Sequence, residues 1–459
     1  MKLTDKRIHM IGIGGIGMSA LASILSDMGN KVSGSDKEES EILKNLRKKG
    51  VEASIGHGAP FEGEKDLVVY SSAIRDSNPE ILEAKKKNIR IIHRIELLKM
   101  IMEEYGRVIG VTGTHGKTTI TAMSALLAEK AGFDPTVLIG GESVHFESNA
   151  KFGTGGTLVS EVDESDGKFV ILNRVTHVIM PNLEKEHMEH YSDEEDLRAA
   201  VGRFLSAQPE NGVFFHRAED PNLRKLSPCF RGRIRTFGFS DEADVRASGV
   251  DIKPFKIDFD CFNRGTKLGR FTLNMAGVHN VANAAAVISL GIELGIDIKI
   301  IMDTLASYKS VKRRFEVIGD VKGARVVEDY AHHPTEIKAT ISAAYSLRPR
   351  RIISVFQPHR YTRTRSFYKD FSSAFLGSDE VILTDVYSAS EDRIEGADAK
   401  SIYDEMVKEK TVPVSFLKKE KIPEYLCANV KDGDLVLIMG AGDIGKVGHE
   451  FVARLKNEK

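Results

Sequence analysis

The stretch Thr112-Gly113-Thr114-His115-Gly116-Lys117-Thr118-Thr119 carries the clearest chemistry in this chain. Its two glycines free a loop to present backbone N–H groups, and a lysine followed by two hydroxyls closes it. Such a loop cradles phosphates, Lys117 reaches the β- and γ-oxygens of a nucleotide, and the Thr118 hydroxyl ligates Mg2+. The strict phosphate-loop pattern has glycine where this chain has Val111, but the working end is intact.

A second glycine motif lies near the start, Gly12-x-Gly14-x-x-Gly17, with Gly15 inside it. Glycines there let the backbone turn tightly and approach a pyrophosphate at a helix N-terminus. Asp36 follows at about the spacing of a ribose-binding acid. The motif reads a pyrophosphate and not a nicotinamide. An NAD-dependent dehydrogenase and a protein that holds another nucleoside diphosphate therefore both fit it.

The acidic run Ser160-Glu161-Val162-Asp163-Glu164-Ser165-Asp166 comes after the apolar Thr157-Leu158-Val159. A carboxylate at a strand end beside a phosphate loop is placed to ligate magnesium, and Glu161 is that candidate. A solvated acidic loop is the ordinary alternative. His187, in Asn182-Leu183-Glu184-Lys185-Glu186-His187, is a candidate for a second metal. Arg314, in Arg313-Arg314-Phe315-Glu316, offers a guanidinium for charge developing on a γ-phosphate. Two further clusters, Asp329-Tyr330-Ala331-His332-His333-Pro334 and Gln357-Pro358-His359-Arg360-Tyr361-Thr362-Arg363, follow apolar strand-like runs. The C-terminal ends of strands are where open α/β sheets bind ligands. Neither cluster has a metal-ligand spacing of histidines, and no nucleophile–base arrangement is legible.

These residues need strands and helices in alternation to bring them together. Ile8–Ile11, Val32–Gly34 and Asp66–Tyr70 read as strands, with helices over Gly17–Met28 and Ile95–Tyr105. Val108–Val111 opens a second unit, followed by an Ala-rich helix to Ala131 with Gly132 as its stop. Strands follow at Thr157–Ser160 and His177–Met180, a β-type pattern runs from Val245 to Leu273, and helices return over Asn280–Leu294 and Ile298–Tyr308. A third unit opens after Arg314, with strands near Ala324–Glu328, Arg351–Phe356, Glu380–Thr384 and Leu435–Met439. The expected architecture is α/β in three domains, 1–106, 107–315 and 316–459: Rossmann-like, a central phosphate-loop ATPase with a mostly parallel sheet, and Rossmann-like again.

Composition narrows the function classes. With 459 residues, 65 basic against 66 acidic side chains and a net charge of −1, no global field draws in nucleic acid or an anionic membrane. Three scattered cysteines argue against a disulfide framework and fit a cytoplasmic protein. No run of 18 apolar residues and no signal-peptide pattern is present in the sequence.

Taken in order, GIGGIGMSALA, VVYSSAIRDSNPEI, GVTGTHGKTT, SEVDESD, TFGFS, HNVANAAA, VKRRFEVIG, VVEDYAHHPTEI, VFQPHRYTRT and MGAGDIG resemble the Mur ligases over almost the whole chain. The resemblance implies ATP-dependent ligation of L-alanine to UDP-N-acetylmuramate through an acyl phosphate, with Mg2+. It moves Gly12, Gly14, Gly15 and Gly17 from NAD to the uridine diphosphate of the substrate, with Asp36, Ser71 and Ser72 nearby. Gly113, Thr114, His115, Gly116, Lys117, Thr118 and Thr119 then hold ATP phosphates, Asn280 and Asn283 the adenine, and Asp329 the ribose. Thr118, Glu161 and His187 match metal ligands, and Lys117 and Arg314 phosphate contacts. His333, His359, Arg360 and Arg363 fall where the family gathers the amino acid and the muramoyl carboxylate. Glu186, just before the metal histidine, stands where the family usually carries aspartate. A monomer or dimer is expected. Three rivals remain at this point: a ligase that attaches a tripeptide to the same UDP-sugar, a dehydrogenase, and a nucleotide-binding regulator without catalysis.

Overall fold

The computed structural model describes residues 3–58, 63–188, 190–389 and 391–457. Its strands form three sheets. Across the first run Glu52–Ile55, Lys31–Asp36, Arg7–Ile11, Leu67–Tyr70 and Ile91–His93, all parallel. The chain reverses its direction of winding beside Arg7–Ile11, and the glycine loop after that strand sits at the crevice this creates.

The second sheet has ten strands, in the order Thr266–Leu273, Lys256–Asn263, Val245–Lys253, Arg233–Gly238, Val213–Arg217, His177–Met180, Arg107–Val111, Thr157–Glu161, Thr136–Ser143 and Ser148–Lys151. Its centre is parallel, and both margins end in antiparallel pairs. Three strand ends on the same side, at Val111, Glu161 and Met180, put the phosphate loop, the acidic run and the segment leading to His187 next to one another. The third sheet runs Glu316–Val321, Ala324–Asp329, Asp434–Met439, Arg351–Phe356, Glu380–Leu383 and Val414–Phe416, parallel except for its first pair.

The expected elements are present, with small shifts at their ends. The first helix spans Ile16–Asp27, the Ala-rich helix Lys117–Lys130, and the later pair His279–Glu293 and Ile298–Ser307. The helix expected over Ile95–Tyr105 is Arg94–Met102, because His93 starts it. The His93 side chain accepts from the Ile95 amide, while Glu96 accepts from the His93 amide. The hairpin Thr136–Ser143/Ser148–Lys151, the strands Val213–Arg217 and Arg233–Gly238, and the short edge strands were not legible in the sequence. Several are too short or too polar to show a period.

Packing separates the three units unequally. One apolar cluster runs from the first unit (Ile13, Leu21, Leu98, Met102) into the second (Leu138, Leu158, Val162, Phe169), so those two share a core. The clusters of the third sheet hold only residues from Phe315 onward. Polar pairs join that unit to the second: Thr335 Oγ1 donates to Glu184 at 2.7 Å, and Arg363 to Glu186 at 2.8 Å. An interface made this way suits a unit that moves.

Candidate active site

Two adjoining cavities flank the phosphate loop. The first, about 430 Å3, is lined by Gly15, Gly17, Ser71, Ser72 and Arg94 of the first unit, by Lys117, Thr118, Glu161 and His187 of the second, and by Tyr330, His332 and Arg360 of the third. The other, about 180 Å3, is lined by Gly116, Thr119, Asn280, Asn283 and Asp329. His115, Gly116, Thr118, Arg314 and Glu336 line both. A wider groove of about 820 Å3 between the first helix and the 136–151 hairpin holds no phosphate-loop residue, and chemistry outweighs size there.

The loop conformation depends on its glycines. Gly113 has φ +108° and Gly116 φ +86°, which side chains rarely adopt. A Cβ on Gly113 would lie 2.5 Å from the Asn182 carbonyl oxygen, and one on Gly116 2.8 Å from Asn283 Oδ1. Asn182 clamps the loop: its Oδ1 accepts from the His115 amide at 2.7 Å, and its Nδ2 donates to the His115 carbonyl at 3.0 Å. Lys117 Nζ donates to Gly113 O at 2.6 Å, Thr114 O at 3.1 Å and Glu164 Oε1 at 2.9 Å. Burial opposes its charge, but Glu164, Asp163 and Glu161 outweigh that and raise its pKa.

Glu161 ends its strand facing this lysine and the Thr118 hydroxyl, and it accepts from the Gly140 amide at 2.9 Å. Burial is the largest influence and raises its pKa despite those partners. Hydroxyl and carboxylate oxygens at Thr118 and Glu161 are the donors a hard divalent cation takes. His187, at φ +60°, brings Nε2 to 3.6 Å from Glu164 Oε1. Glu164, 2% exposed and touching both Lys117 and His187, was missed in the sequence because nothing in an acidic run says which carboxylate turns inward.

In the first unit Gly12, at φ +79°, lies beside Ser71. Asp36 is engaged by the loop itself: Oδ2 accepts from the Gly14 amide at 2.8 Å and Oδ1 from the Lys37 amide at 2.7 Å. Ser72 hydrogen-bonds to His93 at 2.9 Å and to Asp166 of the second unit. Arg94, which sequence reading passed over, lies against Gly17 and donates to Asp163 at 2.8 Å.

Around the second cavity, Asn283 Nδ2 donates to Asn280 Oδ1 at 3.0 Å, and Asn280 Nδ2 to the Ala276 carbonyl at 2.8 Å. Asp329 accepts from the Ala331 amide at 2.7 Å and the Phe315 amide at 2.8 Å, and burial pushes its pKa up to about 6. Of the two arginines, Arg313 is structural. It donates to Glu328 at 2.7 Å and to the Gly440 and Gly442 carbonyls, whereas Arg314 faces the cavities over the Tyr330 ring.

The histidines sort differently from the expectation. His332 lines the larger cavity, and burial takes its pKa down to about 4. His333 caps the helix Pro334–Tyr345 and packs on Phe367, behind the cavity wall. His359 and Arg363 also stand behind it: Arg363 Nη1 donates to His359 Nδ1 at 3.1 Å while Nε and Nη2 hold Glu186. Arg360 reaches the wall itself, with Nη1 3.9 Å from Glu391. Glu186 thus pairs with Arg363 while still lining the larger cavity beside His187, whose amide donates to Oε1 at 3.4 Å.

Three sheets, a glycine loop on the first, a phosphate loop on the second and an arginine–histidine wall from the third define an α/β nucleotide-dependent enzyme with its site between units. The chain belongs to the Mur ligase family. Family models match residues 7–106 (Mur ligase family, catalytic domain), 111–291 (Mur ligase middle domain) and 313–442 (Mur ligase, glutamate ligase domain). It is 41% identical over 455 residues to the UDP-N-acetylmuramate–L-alanine ligase of Pelobacter propionicus, covering 98% of each chain. It is also 41% identical to the protein of that name from Geotalea daltonii, again over 98% of each. The solved UDP-N-acetylmuramate-alanine ligase of Thermotoga maritima superposes with a TM-score of 0.85 at 31% identity, covering 99% of this chain and 100% of that one. A murein peptide ligase of Psychrobacter arcticus, at TM-score 0.73 and 23% identity over 98% and 99% of the two chains, shares the fold.

Proposed function

We propose that this chain joins L-alanine to the carboxylate of UDP-N-acetylmuramate and consumes ATP, giving UDP-N-acetylmuramoyl-L-alanine, ADP and phosphate for peptidoglycan synthesis in the cytoplasm. The convergence of all three units on one cavity, Gly15 and Gly17 opposite Lys117 and Glu161 with Arg360 across from them, carries the reading. The glycine loop of the 1–106 unit takes the uridine diphosphate. The 107–315 unit seats ATP, with the phosphates on the amides of residues 113–119, the adenine at Asn280 and Asn283 and the ribose at Asp329. The 316–459 unit closes over the amino acid.

The first step brings a carboxylate onto a γ-phosphate, so two anions meet. Lys117 and Arg314 supply positive charge where negative charge develops in transfer, and closure of the third unit would exclude water. Thr118 and Glu161, with His187 across Glu164, would hold Mg2+, which when bound neutralises phosphate charge and orients the triphosphate. The amine then attacks the acyl phosphate carbon and phosphate leaves. His332 donates Nδ1–H to the Tyr330 carbonyl at 3.0 Å, so its neutral ring keeps Nε2 as an acceptor for the incoming amine. Arg360 suits the amino-acid carboxylate, with Arg363 and His359 supporting it from behind.

The test is phosphate release with UDP-N-acetylmuramate and ATP plus alanine, glycine, serine or the tripeptide. The reading expects alanine to give the highest kcat/KM; release that prefers the tripeptide, or needs no acceptor amine, would overturn it.

A further inference from the structure

His115 belongs to the phosphate loop, yet its side chain makes its polar contacts elsewhere. Nδ1 lies 3.2 Å from Glu336 Oε1 of the third unit, and Nε2 lies 3.6 Å from Glu184 Oε2 of the second. A carboxylate opposite Nδ1 requires a proton on that nitrogen. Glu336 is a junction. It also accepts from the backbone amides of His332 at 3.0 Å and His333 at 3.3 Å, and Arg314 Nη1 lies 4.0 Å away.

The ligand atoms of His115, Glu184 and His333 lie within 4.8 Å of one another, close enough to suggest a cation. The hydrogen bonding argues otherwise. His333 Nδ1 accepts from the Thr335 amide at 3.3 Å, so its neutral ring carries the proton on Nε2, the atom that would have to ligate.

We propose that His115 is a positioning residue: through Nδ1–H···Glu336 it ties the phosphate loop to the third unit, so that closure of that unit seats Glu336 against Arg314 beside the loop. The proposal rests on the nucleotide reading of the site. In it, Glu184 steadies the ring from the second unit, and Glu336 transmits its position to Arg314 and to the backbone of His332. Breaking the tie leaves the loop able to bind a nucleotide but lets the catalytic wall seat imperfectly, and misplacement on the ångström scale costs on the order of 10²-fold in rate.

Two isosteres separate this role from simple packing. Asparagine places an amide N–H near the Nδ1 position and keeps the bond to Glu336; glutamine places one near Nε2 and keeps only the Glu184 side. The experiment compares His115→Ala, His115→Asn and His115→Gln in the full chain, by phosphate-release kinetics and by ADP-binding titration. His115→Ala and His115→Gln are expected to lose on the order of 10²-fold in kcat with ADP affinity held within about threefold. His115→Asn is expected to recover most of that loss. Adding Glu336→Gln to His115→Ala is expected to cost less than the product of the two single losses, because the His115 contact is shared while the Glu336 contacts to His332, His333 and Arg314 are not. Glutamine matching or exceeding asparagine, a loss confined to ADP affinity, or multiplicative losses in the double variant would overturn the proposal. Should the unaltered chain bind no ADP, the nucleotide reading and this proposal would fall together; normal ADP binding with any of the other outcomes would overturn the tie alone.

Discussion

Glu186 Oε1 accepts hydrogen bonds from Nε (2.9 Å) and Nη2 (2.8 Å) of Arg363, and both side chains are buried at the boundary between the second and third units. Burial alone would raise the Glu186 pKa, but the guanidinium and the neighbouring histidines hold it well below the usual carboxylate range. Glu186→Ala leaves the guanidinium buried without its counter-charge, and breaking such a pair costs about 3–5 kcal/mol. The third unit is expected to detach at lower denaturant than the rest, read by tryptophan introduced at an exposed site of that unit. An unchanged first transition would contradict this.

Lys117→Ala is expected to lower phosphate release by on the order of 10³-fold, the scale for removing a charge-stabilising group from a preorganised site. The loop should stay folded, since Asn182 clamps its backbone on both sides of His115. Release at near the original rate would remove the phosphate-loop assignment.

Glu161 is buried among Lys117, Thr118 and the Gly140 amide with its pKa raised, so its ionised form gains from a nearby cation. Glu161→Ala is expected to shift the Mg2+ titration of activity to higher concentration and lower its maximum. A titration that superposes on the original would rule out its ligand role.

His115 provides the pH dependence. Burial alone would lower its pKa, but hydrogen bonds and charge from Glu184 and Glu336 outweigh that and push it up to about 9. His333 and His279, both shifted down by burial and neutral over this range, and the cationic Arg314 complete its titratable surroundings. A histidine raised from its ordinary 6.5 stabilises the fold fully below that value and loses the contribution as pH rises through about 9. The stability difference between the unaltered chain and His115→Asn should therefore shrink between those two pH values in chemical denaturation. A difference that stays flat over the window would show that His115 does not titrate there.

Motifs whose chemistry is local were readable from the order of residues. A glycine loop between a strand and a helix and GKTT at a helix start each need only their neighbours, and each sits where its spacing placed it. The three α/β units were legible for the same reason, since apolar periodicity is a property of adjacent residues. Which polar groups pair was not. Asn182 lies 67 residues from His115, Glu186 lies 177 from Arg363, and Glu336 lies 221 from His115. Such contacts depend on where whole sheets stack and how units dock, and no local period encodes that. Folding in three dimensions alone chose Glu164 from the acidic run to meet Lys117, turned His332 rather than His333 toward the cavity, and set Arg313 to brace while Arg314 faces the phosphates' loop.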